Sequence, residues 1–114
     1  MTLPRYIFVE LVLSARDMAR VDAVVNASEF SFAGWVRECV RDLGARNGVS
    51  LGGRPHSFRP GPWAPSRRQV SKQRHGVLFP REWHVQLNHL ARTLDTSKSG
   101  VLRIAVMQRV NGVL

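Results

Sequence analysis

The chain has 114 residues, with 17 Lys and Arg against 8 Asp and Glu, a formal charge of +9. That length allows one modest domain, or two small motifs sharing a core. The excess charge asks for a polyanionic partner, nucleic acid before an anionic membrane surface or an acidic protein. The apolar runs are too short for a membrane span, and the start Met1-Thr2-Leu3-Pro4-Arg5-Tyr6 has no secretory pattern. A single cysteine, Cys39, excludes an internal disulfide and the usual zinc spacing, and suggests a reducing cytoplasm.

Tyr6 to Leu13 is rich in β-branched and aromatic residues and reads as a strand. Ile7, Val9, Leu11 and Leu13 share one face; Phe8, Glu10 and Val12 share the other. Ser14 caps a helix with Met18, Val21, Val24 and Val25 as its apolar stripe. After a break over 26–30, Ser31 caps a second helix with Trp35, Val36, Cys39, Val40 and Leu43 on its inner face. Gly44 is expected to stop it.

Residues 45–73 read as a basic Gly/Pro-rich linker, partly polyproline-like, carrying Arg54, Arg59, Arg67, Arg68 and Lys72. No carboxylate occurs between Asp42 and Glu82. His75 to Phe79 reads as a second strand, with Pro80 in a first helical turn. His84, Leu87, Leu90 and Ala91 form the next stripe. Ser97 then caps a last helix carrying Val101, Leu102, Ala105, Val106 and Arg109.

The two ends superimpose without a gap at an offset of 66 residues. Leu13 meets Phe79, Val21 meets Leu87, Ser31 meets Ser97, Gly34 meets Gly100, and Arg37 meets Arg103. A unit of about forty residues cannot bury its apolar face alone. The two copies are therefore expected to pair their strands antiparallel and close four helices into one core. The fold class expected is mainly α with a two-stranded antiparallel ribbon, a single-chain pseudo-dimer of order β-α-α-linker-β-α-α. It forms a single domain over 1–114, with units at 6–44 and 74–111.

The stretches Val9 to Asp17, Arg20-Val21-Asp22 and Ser31 to Arg41 resemble the ribbon–helix–helix superfamily of MetJ and Arc. In the second copy the resemblance runs through Val77 to Glu82 and Ser97 to Ala105. Two copies on one chain are similar to TraY-type relaxosome proteins and to the overdrive-binding virulence protein of T-DNA transfer. The resemblance implies a ribbon in the DNA major groove and helix N-termini on phosphates. It implies a transcriptional regulator or DNA-transfer accessory factor, a monomeric pseudo-dimer with double-stranded DNA, and possible other DNA-processing proteins, as partners.

Carried over by position, the base-reading residues are Phe8, Glu10, Val12, Arg74, Gly76 and Leu78. The phosphate clamps are Ser31-Phe32-Ala33 and Ser97-Lys98-Ser99. A typical ribbon of this family shows polar or basic residues outward; here Arg74 alone is a conventional base reader, while Glu10 suits a cytosine amino group and Val12 or Leu78 a thymine methyl. The linker cations add phosphate contacts.

Other residues carry quieter readings. Trp35 and Cys39 are expected in the core and Trp83 at its edge, whereas Trp63 divides between docking on the fold and touching DNA. His84 and His89 have the wrong spacing for two ligands on one helical face, and Gly52-Gly53 lacks the residues of a phosphate loop. No cofactor, metal site, membrane partner or catalytic constellation is expected, so an enzyme is not. The alternative is a protein-binding regulator that keeps the fold but has lost base reading. A third reading confines binding to the linker charge.

Overall fold

The computed structural model describes residues 6–51, 68–71 and 74–112, with 68–71 as backbone only. The elements in chain order are strand β1 (Tyr6–Val12), helix α1 (Ala15–Asn26), helix α2 (Phe32–Arg46), strand β2 (Arg68–Ser71), strand β3 (Arg74–Pro80), a 3₁₀ turn (Arg81–Trp83), helix α3 (His84–Thr93) and helix α4 (Lys98–Val110). The chain is mainly helical, with an antiparallel sheet in the order β1-β3-β2.

The alternation in β1 works as its side chains demand. Val9, Leu11 and Leu13 are buried while Phe8, Glu10 and Val12 face outward. β1 pairs with β3 from Tyr6 opposite Pro80 to Val12 opposite Arg74. Within this ladder Glu10 lies opposite Gly76, its counterpart at the 66-residue offset.

Three serines start three helices as their short acceptor side chains suit. Ser14 Oγ accepts from the Asp17 amide at 3.1 Å, Ser31 Oγ from Gly34 at 3.2 Å and Ser97 Oγ from Gly100 at 3.0 Å. α2 and α4 pack on each other; α2 also touches β3, and α4 touches β1 and α1. The core thus draws on both ends of the chain: Leu11, Val21, Val36, Val40, Val77, Phe79, Leu87, Leu90, Val101, Leu102 and Val106 are among its fully buried members.

Several expectations are corrected. Gly44 does not end α2, which runs to Arg46; the left-handed residue past its end is Gly48, at φ +72°. Gly44 matters instead for closeness, since a Cβ there would stand 2.7 Å from the Val49 carbonyl oxygen. That turn carries Val49 and Leu51 back into the core, so the segment after α2 is not all linker.

β2 is a second departure, a strand inside the expected linker that adds a third member to the expected two-stranded ribbon. Pro80 closes β3 in extended geometry rather than entering a helix (φ −57°, ψ 138°). The stripe after it begins at Trp83, 1% exposed and 5.7 Å from the Phe79 ring, while His84 is exposed. Val24 points outward, because Met18, Val21 and Val25 already fill the side of α1 that faces the core. Arg109 likewise lies outside the core and pairs with Asp42.

Candidate nucleic-acid interface

The outer face of the β1–β3 pair is unequal. On β1, Phe8 is 49% exposed, Val12 is 37% exposed and Glu10 is also exposed. Arg74, opposite Val12, is exposed as well. On β3 the expectation fails: Gly76 is buried and Leu78 is 2% exposed, outside the main core cluster. The sheet order gives a reason. β2 pairs along the other edge of β3, with Arg68 opposite Gly76 and Gln69 opposite His75, making β3 the central strand. A central strand has neighbours on both sides, and its side chains lose solvent that an edge strand keeps.

The two helix starts differ in the same sense. At α2, Ser31 is exposed but Phe32 and Ala33 are buried. Phe32 packs on His75, ring centres 5.4 Å apart. At α4, Ser97 is exposed, with Lys98 and Ser99 half-buried. Ser99 Oγ donates to the Glu10 carbonyl at 2.6 Å, tying the start of α4 to the edge strand. Beside it lies a depression of about 170 Å³ lined by Val12, Thr96, Ser97, Ser99, Gly100 and Arg103.

Sequence reasoning singled out neither Arg103 nor Arg37 as a functional residue. Arg37 is 5% exposed, and its Nη1 donates to the Leu78 carbonyl at 2.8 Å. Burial lowers its pKa to about 10, because a charged guanidinium loses hydration there. Arg103, its counterpart at the 66-residue offset, is exposed at the start of α4. The offset alone could have paired the two; only packing separates a structural arginine from an available one.

The expected linker contacts Arg54, Arg59, Arg67 and Lys72 lie outside the described residues, as does Trp63. Arg68 is placed in β2 by its backbone. Trp35 and Trp83 are buried in the core. Cys39 is 2% exposed, and burial pushes its thiol up to about 12. Among the described residues no group of three His, Cys, Asp or Glu side chains is placed to hold a metal ion. No helix among them is long and apolar enough to cross a membrane. Compared with models of protein families, with curated proteins and with solved structures, the chain gives no significant match.

Proposed function

We propose that the chain is a double-stranded DNA-binding protein of ribbon–helix–helix type, folded as a single-chain pseudo-dimer in a reducing cytoplasm, with a role in transcription regulation or DNA transfer and not in catalysis. The observation that carries the reading is the strand register. Glu10 opposes Gly76, residues equivalent at the repeat offset, as a two-fold axis between two copies requires. The matching helix starts at Phe32 and Lys98 give further support. A ribbon of two strands fits the major groove, where each base pair offers a distinct pattern of donors and acceptors. Capped helix starts beside it supply N–H groups and a positive dipole end for phosphate.

On this reading the two halves bind unequally. The β1 half presents Phe8, Glu10 and Val12 with Arg74 of β3, and the α4 start adds Lys98 and Arg103. The β3 positions Gly76 and Leu78 do not read bases in the arrangement described, since both are buried. A site with one strongly contacted half and one weakly contacted half follows.

Selection from random duplexes, then gel shifts over a salt series, tests the proposal. Neutralising about six phosphates gives a log–log slope near −5. Arg74→Ala weakens the selected site more than bulk DNA, whereas Lys98→Ala and Arg103→Ala weaken both alike. Absence of DNA binding at low salt would refute the proposal. The exposure of Phe8 and Val12 favours a second reading, a protein-binding regulator with the same fold. It predicts partner capture that survives nuclease treatment.

A further inference from the structure

Places equivalent at the 66-residue offset are closed in different ways along the two strands of the ribbon. On β1, the start of α4 takes the Glu10 carbonyl, to which Ser99 Oγ donates. The equivalent place on β3 is Gly76, and the residue equivalent to Ser99 is Ala33 at the start of α2, which has no hydroxyl to offer. β2 pairs there instead, with Arg68 opposite Gly76 and Gln69 opposite His75. His75 is also the residue on which the Phe32 ring of α2 packs. β2 thus runs along the stretch of β3 that meets the α2 start, and among the described residues no strand does the same beside β1.

Exposure differs accordingly. Lys98 and Ser99 are half-buried, whereas their equivalents Phe32 and Ala33 are buried. Glu10 is exposed, whereas Gly76 opposite it is buried. The extra strand is also the least anchored of the three. It has four residues and three partners on β3, with a shift of register between Gln69 and Ser71. β1 keeps seven partners on the same strand without a break. A bulge disrupts the ladder around it, and segments held by few contacts open at free energies well below that of global unfolding. β2 can therefore leave while the β1–β3 pair and the core stay folded.

We propose that β2 is an autoinhibitory strap. Paired with β3, it keeps the α2 half of the ribbon from a duplex. Released, it lets that half approach the groove and lets the capped start of α2 meet a phosphate. The inference rests on the DNA-binding reading and adds a step to it. The competent form is the one with β2 detached, and the apparent affinity falls with the fraction of chains in that form.

The test locks the strap reversibly. Residues directly opposite in an antiparallel pair have Cα atoms about 4.5–5.5 Å apart, within the span of a disulfide. Arg68→Cys combined with Gly76→Cys therefore allows β2 to be joined to β3, and Cys39 is buried and does not compete. The oxidised variant should bind the selected duplex at least about tenfold more weakly than the same variant reduced, with an unchanged circular dichroism spectrum. On the unaltered chain, adding duplex should speed hydrogen exchange at the β2 amides by at least about tenfold while Val9 and Val77 stay protected. Equal affinity of the oxidised and reduced forms, or β2 amides that exchange no faster on DNA, would overturn the strap and leave the DNA-binding reading standing. Absence of duplex binding by the unaltered chain at low salt would refute that reading and the strap with it.

Discussion

Cys39 sits where α2 crosses α4, 2% exposed among apolar neighbours. A thiolate there would lose its hydration, so the thiol stays protonated up to about 12 against 9.0 when unfolded. Between those values the folded chain keeps a proton that the unfolded chain releases. Its contribution to stability is complete below pH 9 and declines as pH rises from 9 toward 12, by at most about 1.4 kcal/mol per pH unit for one group. Urea unfolding from pH 8 to 10, below the range where Arg37 would titrate, should show this decline, and Cys39→Ala should remove it. At pH 8 an aromatic disulfide reagent should label the folded protein far more slowly than the unfolded one. Cys39 in the core was legible from its place in the α2 stripe. The fate of Arg37 was not, because its pattern matches that of Arg103; burial against β3 alone tells them apart.

α2 and α4 start 66 residues apart, yet positions at that offset within them are packed to different tolerances. A Cβ at Gly100 would stand 1.9 Å from Thr96 Oγ1 and 3.1 Å from Thr96 Cβ. At the equivalent Gly34 the nearest atom, Ser31 Oγ, is 3.2 Å away. Alanine favours a helix over glycine by about 1 kcal/mol, whereas overpacking costs about 1–3 kcal/mol. Gly100→Ala should therefore be the more destabilising of the two changes by about 1–2 kcal/mol in thermal unfolding. Adding Thr96→Ala should recover most of that loss. The serine caps and apolar stripes were legible because local donors and 3.6-residue spacing determine them. Element ends were less so: α2 passes through Gly44 because Val49 and Leu51 fold back beneath it, a contact that lies beyond the helix itself.

At the scale of the molecule, β3 lies between two strands and β1 lies at an edge. The difference sets a contrast between two outward-pointing apolar residues. Val12→Gln should leave stability within about 0.5 kcal/mol, as surface changes usually do. Leu78→Lys should cost about 3 kcal/mol or more, since it places a charge at a site 2% exposed. Chemical denaturation of both variants checks the contrast, and equal losses would count against the unequal faces. The same inequality explains why only part of the expected base-reading row is available. Phe8, Glu10, Val12 and Arg74 are exposed, whereas Gly76 and Leu78 are not.

The sequence by itself determined the three serine-capped helices, the strand alternation in β1 and the strand–helix–helix order at the two ends. These follow from short-range periodicity and from side chains that satisfy nearby backbone groups. Tertiary structure decided which strand became central and which of two equivalent arginines was buried. Those outcomes depend on groups far apart in the chain competing for the same volume and the same hydrogen bonds, and no local pattern carries that competition.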